Sequence, residues 1–294
     1  MDKKDSLYAF ALHGGAGAVA GRNYDSVETH MSELTAECQA LLRSGRSALD
    51  VVEMAVMELE RSGMYVAGRG SAPNSAGYVE LDASIMHGPS REAGAVAALP
   101  GFESPIQIAR GVMEKTPHVL LAGTGAQAFA RDHAYAEVMN ADDYYQLPVG
   151  VTEEDLSVAR AHGTVGAVAR DQSGSVAAAT STGGTFGKLE GRVGDTPLIG
   201  PGTWADDTIA ISCTGTGEHI IRAGGAVSIA CAFKAGVPLK QAVNDMLDEV
   251  KRLGGDAGIV AVTHELEIAT LYNSDGMKRA SVSSQQPLHV ATFS

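Results

Sequence analysis

The chain has 294 residues, with 22 Lys and Arg against 35 Asp and Glu, for a formal charge of −13. That length supplies one large domain or two ordinary ones, with a core that needs neither disulfide nor metal to hold it. The 45% apolar and 19% charged composition excludes a disordered chain, and the acidic balance argues against nucleic-acid or anionic-membrane partners. No apolar run approaches the ~18–20 residues of a membrane span. The opening MDKKDSLYAFALHGG is too short in apolar residues for a signal peptide, so a cytoplasmic location is expected.

Residues 7–12 (LYAFAL) read as a buried strand, ended by HGGAG at 13–17. Asp25 with Glu28 reads as a capping box that starts a helix with an apolar stripe from Val27 to Leu42, stopped by Gly45. Ser47 caps the next helix, Asp50 stands at its third position, and Gly63 closes it. Two more helices are expected near 104–115, where Ser104-Pro105 reads as a cap and first-turn proline, and near 124–140. Residues 141–161 are polar, acidic and weakly periodic, which predicts a loose connection. The second half opens with strand-like runs 164–170 and 175–181 joined by DQSG, a hairpin signal. A strand at 208–213, helices at 218–235 and 239–253, and a hairpin of 259–263 with 267–272 follow. Strands and helices come in groups, which fits layered packing with mainly antiparallel sheets and disfavours a parallel doubly wound fold.

Several chemistries can be tested by spacing. TGGTFGKL at 182–189 places Thr182 and Leu189 where a phosphate loop requires Gly and Ser or Thr. Gly15 and Gly17 are followed by Ala20, and no helix opens until Asp25, so the dinucleotide fingerprint fails. No HExxH or CxxC metal pattern and no GxSxG occurs. Cys38, Cys213 and Cys231 are odd in number and read as core thiols. Glycine is in excess, 35 of 294 residues, against a background of about 7%, and sits in clusters beside strands where backbone approaches backbone or ligand.

The run His162-Gly163-Thr164-Val165-Gly166 joins the acidic segment to a strand. On propensity alone Thr164 is simply a β-branched residue opening that strand. Thr180-Ser181-Thr182-Gly183-Gly184 ends the next strand, so Thr182 can lie beside Thr164 across the hairpin. Gly191-Arg192-Val193-Gly194-Asp195 presents a cation and an anion three residues apart. They form either a surface ion pair or a clamp for a zwitterionic amino acid, with Arg192 on its carboxylate and Asp195 on its ammonium.

Together HGGAG (13–17), HGTVGAV (162–168), ATSTGG (179–184), GRVGDTPLIGPGTWAD (191–206) and SCTGTGE (212–218) resemble the plant-type L-asparaginase / isoaspartyl aminopeptidase (β-aspartyl peptidase) family of N-terminal-nucleophile (Ntn) hydrolases. The motifs span nearly the whole chain in the family's order. The resemblance implies an α+β fold, a four-layer αββα sandwich of two mainly antiparallel sheets between helix layers, in one structural domain. It implies a precursor cut at Gly163–Thr164 into an α subunit (1–163) and a β subunit (164–294), paired as a homodimer of cleaved protomers. Thr164 becomes the nucleophile, Thr182 orients it, and Thr214 and Gly215 form the oxyanion site. Arg192, Asp195 and Gly217 bind substrate. The implied substrates are β-aspartyl dipeptides and L-asparagine, with no catalytic cofactor. A structural sodium is expected through backbone of Leu59, Glu60, Ser62, Tyr65, Ala67 and Arg69.

Three departures from the family pattern stand out. Val66 replaces the Asn of Asn-Ala-Gly, Arg69 stands where a small or apolar residue is common, and His87 replaces the Asp of Met-Asp-Gly. Arg69 is therefore expected to face the leaving-group side. Two alternatives stay open: a glycosylasparaginase-like amidase, and an aspartate-binding homologue that never matures.

Overall fold

The computed structural model describes residues 7–152, 154–155 and 163–294. The end of the 141–161 segment, with His162, lies outside the described residues. An eight-stranded sheet runs in the order β12 (His289–Ala291), β11 (Met277–Ser283), β1 (Ala9–Ala16), β5 (Val165–Arg170), β6 (Val176–Thr182), β2 (Leu81–His87), β3 (Ala93–Leu99) and β4 (Leu120–Ala122). Only the β3–β4 pair is parallel in it. A four-stranded antiparallel sheet runs β10 (Ile268–Tyr272), β9 (Ala257–Thr263), β8 (Ile209–Gly215) and β7 (Thr203–Ala205).

Side-chain alternation sorts these strands into layers. On β1, Phe10 and Leu12 join a core with α1 (Asp25–Arg43), α2 (Ala48–Ser62) and α3 (Pro105–Lys115), while Ala9 and Ala11 face the other sheet. On β8, Ile209, Ile211 and Cys213 pack under α6 (Gly217–Ala223), α7 (Gly225–Lys234) and α8 (Leu239–Arg252), while Ala210 faces inward. The layer between the sheets is therefore built from small residues such as Ala9, Ala11, Ala178 and Ala210, closed by Val168, Val260 and Val262. The result is the expected αββα sandwich.

Local differences have local causes. Helix α1 begins at Asp25, but Asn23 Oδ1 accepts the Asp25 N–H at 2.7 Å, and no side chain of an Asp25–Glu28 box caps it. Ser47 does cap α2, accepting Asp50 N–H at 3.2 Å, and Gly63 closes it in the left-handed region. Ser104 turns away from its helix and donates to Glu60 Oε2 at 2.6 Å, so buried Glu60 accepts the Ile106 N–H and caps α3 instead. The 124–140 helix is shorter, α4 (Gly123–Asp132). The 218–235 helix is broken in two at Gly224-Gly225, both at positive φ. The start of the 141–161 segment is held rather than loose: it forms α5 (Ala141–Tyr144), and Gln146 N–H donates to Arg69 O at 3.0 Å. Cys38 and Cys213 are buried, but Cys231 is exposed, because α7 buries the stripe of Ala226, Ile229 and Ala230 beside it. Among the described residues, no helix is long and apolar enough to cross a membrane.

Candidate active site

The β5–β6 register pairs Val165 with Ser181, so one step outward sets Thr164 beside Thr182 at the end of the hairpin. Thr182 Oγ1 donates to the Gly163 carbonyl at 2.7 Å and accepts the Gly184 N–H at 2.9 Å. Its single proton is thereby aimed at the carbonyl of the Gly163–Thr164 bond. Behind that bond lies the HGGAG loop. Gly15 has φ +100°, and a Cβ there would stand 3.1 Å from Gly163 Cα and 3.2 Å from Thr164 N, so only glycine lets the loop pass so close.

Arg192 and Asp195 reach the same cleft from the 191–196 loop, with Gly215 and Gly217 on its far wall. The cleft measures about 10 Å³, room for one water molecule. Arg192 and Asp195 do not form a surface ion pair with each other. The Arg192 fork meets Glu218 in two bonds of 2.8 Å, and Asp195 is 3% exposed with Oδ2 unpartnered. Burial raises the Asp195 carboxyl to about 7, against the pull of Arg192. A buried carboxylate with a free oxygen beside a guanidinium is what an incoming ammonium would complete. Gly217 makes room for it, since a Cβ there would lie 2.9 Å from Asp195 Oδ1. Thr214, the last residue but one of β8, is fully buried, and its Oγ1 accepts the Ala16 N–H at 3.3 Å, which leaves its own proton to donate.

A second set of polar residues, unforeseen from the sequence, occupies the layer between the sheets. His13 Nδ1 lies 3.1 Å from the Thr164 carbonyl and Nε2 lies 2.9 Å from Ser212 Oγ. A carbonyl only accepts, so Nδ1 carries the hydrogen and Nε2 accepts from Ser212. Burial holds the ring neutral, with its pKa lowered to about 3. From Ser212 the run continues to Thr180 at 2.8 Å, Thr203 at 2.5 Å, Ser84 at 2.8 Å and finally the Thr196 carbonyl at 2.6 Å. The run therefore joins the backbone of Thr164 to the backbone next to Asp195. The signal was thin: Thr180 and Ser212 stand among other hydroxyls in their strands, no spacing pairs them, and only HGGAG marked His13.

The departures fall in three different places. Val66 packs against the cleft, because a Cβ on Gly163 would sit 2.9 Å from the valine's Cβ and Cγ2. Arg69 is not at the cleft: its Nε donates to Tyr144 O at 3.1 Å and its guanidinium covers the Tyr144 ring, tying down α5. His87 lies at the β2–β3 turn, 2.8 Å from Ser90 Oγ. Carbonyls converge in the 59–70 loop, where a Cβ on Gly68 would meet Glu60 O at 2.6 Å and one on Gly70 would meet Tyr65 O at 2.0 Å. Three of them accept one bond: Tyr65 O from Ala67 N, Ala67 O from Gly70 N and Arg69 O from Gln146 N. Each keeps a second lone pair, so this donor set fits a hard monovalent cation.

This geometry, a threonine at a strand end under an Arg/Asp pair between two stacked sheets, is that of an amidohydrolase sandwich. The asparaginase family profile matches residues 6–292, and the chain belongs to that family. It is 42% identical to the isoaspartyl peptidase of Salmonella typhimurium, covering 92% of this chain and 93% of that one. It is 40% identical to the isoaspartyl peptidase of Escherichia coli (92% and 91% covered). The probable isoaspartyl peptidase/L-asparaginase 2 of Arabidopsis thaliana is 37% identical, with 97% and 99% covered.

Proposed function

We infer that the protein is a self-activating amidohydrolase that releases L-aspartate from β-aspartyl dipeptides and L-asparagine. The observation that carries this reading is the convergence of Thr164, the Thr182-bonded Gly163 carbonyl, Arg192 and Asp195 in one cleft. In the maturation step Thr164 Oγ attacks the Gly163 carbonyl carbon, and Thr182 donates to the oxygen on which charge develops. The C–N bond breaks as a C–O bond forms, and the hydroxyl proton passes to the departing Thr164 amine. Water then hydrolyses the ester, leaving a Gly163 carboxylate and a free Thr164 hydroxyl and amine, hence pieces 1–163 and 164–294. An α-amine titrates near ~7.7–8, so it can serve as base for its own hydroxyl. Arg192 and Asp195 would hold the substrate's α-carboxylate and α-ammonium, sending its side-chain carbonyl to Thr164. The Gly215 N–H and the Thr214 hydroxyl would receive the oxyanion. The amine leaves, and water frees aspartate from the acyl-enzyme.

The family also supports pairing of two cleaved protomers, and the carbonyl-lined 59–70 loop supports a bound sodium that stiffens the α2 end without entering the chemistry. Light scattering of the cut protein, and melting in sodium against choline chloride, test these two points. The central test is the intact mass and ammonia release of wild type beside Thr164→Ala. Two pieces and turnover are expected from the wild type. The variant should stay whole and lose on the order of 10⁴-fold or more in rate. An uncut, inactive wild type that still bound aspartate would overturn the reading in favour of a binding protein. Because the Asp195 carboxyl sits at about 7 and only its charged form attracts an ammonium, KM for L-asparagine should rise as pH falls from 8 to 6. A flat KM over that range would remove Asp195 from ammonium binding.

A further inference from the structure

Two buried charged residues that no step above uses stand behind the nucleophile cleft: Asp82 on β2 and Lys188 on the loop after β6. The β2–β6 register pairs Ser84 with Thr180 and Asp82 with Thr182, so Asp82 shares the face of the hydroxyl run, one step nearer the cleft. Opposite it β3 carries one extra residue. The register slips between the pairs Leu81–Leu99 and Ala83–Val96, and Ala98 takes a φ of +48°. The Ala98 N–H donates to Asp82 Oδ1 at 2.7 Å, while Oδ2 has no hydrogen-bond partner. Lys188 reaches back across the turn that follows Thr182, and its Nζ donates to the Glu80 carbonyl at 3.0 Å. Its stem lies over Gly184: a Cβ there, at φ +82°, would stand 2.7 Å from Lys188 Cδ and 2.9 Å from Nζ. Burial works against both charges, raising the Asp82 carboxyl and lowering the Lys188 ammonium, and Asp82 is the acid that draws most strongly on Lys188. Each charge is unfavourable alone and offset by the other. The loop beyond has anchors of its own. The Glu80 carboxylate accepts the Gly191 N–H at 3.0 and 3.1 Å, and Glu218 holds the Arg192 fork.

We propose that Asp82 and Lys188 are a positioning pair for Thr182: Asp82 keeps the Lys188 stem pressed on Gly184, and Gly184 in turn sets the direction of the Thr182 hydroxyl. The proposal rests on the hydrolase reading above and deepens it. Thr182 Oγ1 has one proton and two polar neighbours, the Gly184 N–H that it accepts and the Gly163 carbonyl to which it donates. As long as the Gly184 N–H occupies a lone pair, the proton has only the carbonyl to point at. A turn free to swing that N–H away would let the hydroxyl rotate, and the carbonyl would lose its donor for part of the time. Neither Asp82 nor Lys188 lines the cleft, so both act through the turn alone. The effect therefore falls on bond making at Thr164. It spares the grip of Arg192 and Asp195, which lie on the separately anchored part of the loop.

The test compares Asp82→Asn, Lys188→Met and the double variant with wild type. Melting is followed in the uncut Thr164→Ala background, self-cleavage in the otherwise wild-type chain, and kcat and KM for L-asparagine after cleavage is complete. Each single variant strands one buried charge and should melt below the wild type, whereas the double variant strands none and should melt above both singles. The double variant should nonetheless cleave itself about tenfold more slowly, less than the roughly 100-fold of a donor removed outright. Its kcat should fall by about the same factor, with KM within twofold. A well-folded but slow double variant separates positioning from folding. If instead it cleaved itself and turned over within twofold of the wild type, or raised KM with kcat unchanged, the positioning role would be overturned and the hydrolase reading left intact. A double variant melting below both singles would show two independent supports and overturn the pairing. A wild type that neither cleaved nor turned over would bring down the hydrolase reading and the pair with it.

Discussion

The layer between the two sheets has two ends made on different principles from the same strands. At one end β1, β6 and β8 present Ala11, Ala178 and Ala210, and the sheets meet through methyl groups. At the other end the same strand faces present His13, Thr180 and Ser212, and the sheets meet through hydrogen bonds. The alanine end tolerates no polar atom without a cost of about 1–3 kcal/mol, and the hydroxyl end tolerates no missing partner for the same reason. The candidate site lies at the second end, where hydrogen bonds fix direction, which apolar contact does not do.

Substitutions can break this contrast, and each stability measurement is best made by urea unfolding in the Thr164→Ala background, where the chain stays single. The largest loss is expected from His13→Leu, which strands the buried Thr164 carbonyl and removes the ring that bridges the two sheets. About 3 kcal/mol should go, and self-cleavage in the otherwise wild-type chain should slow by at least tenfold. Unchanged cleavage would mean that His13 holds the sheets and not the nucleophile. Val262→Ala, at the dry end, should cost about 2 kcal/mol through lost burial and a cavity, with kcat unaltered.

The smallest effects sharpen the picture of the polar end. Ser212, Thr180, Thr203 and Ser84 bring four hydroxyl protons to five contacts, between acceptors at both ends, His13 Nε2 and Thr196 O. One contact must therefore lack a proton. Ser212→Ala leaves Nε2 buried and unpaired and should cost about 1–2 kcal/mol. Thr203→Val removes one proton and two contacts, so three protons then serve three contacts, and stability should move by less than about 0.5 kcal/mol. If Thr203→Val proved as costly as Ser212→Ala, the proton count would be wrong and the run would be filled by some other arrangement.

How much of this was legible in the sequence depends on whether a signal is local. Helices α1, α2, α3 and α8 and the β5–β6 hairpin carry periodic apolar residues or turn residues and could be read directly. Strands β2, β3 and β11 went unread, because SIMHG, AGAVAAL and MKRASVS lack clean alternation when both faces are buried by small residues. The break at Gly224-Gly225 was hidden inside an apolar run. Thr164, Thr182, Arg192 and Asp195 were found through motif context, and they do gather in one cleft. Arg69 was misplaced because its partner, Tyr144 O, belongs to a segment expected to be loose. The hydroxyl run could not be seen, since Ser84, Thr180, Thr203 and Ser212 meet only once two sheets are stacked.

The order of strands in the larger sheet has a final consequence. β1, from the piece before Thr164, lies between β11 and β5, and β6 lies against β2, so a cut at Gly163–Thr164 leaves each piece threaded through the other's hydrogen-bond ladder. The mature enzyme would thus be two molecules sharing one sheet, which part only when that sheet unfolds. Its folding information would be spent at the cut: a chain that found its strands as neighbours would have to find them again as strangers, at a rate set by concentration. Once melted, such an enzyme is expected to stay melted, and its working life is governed by how slowly it opens rather than by an equilibrium.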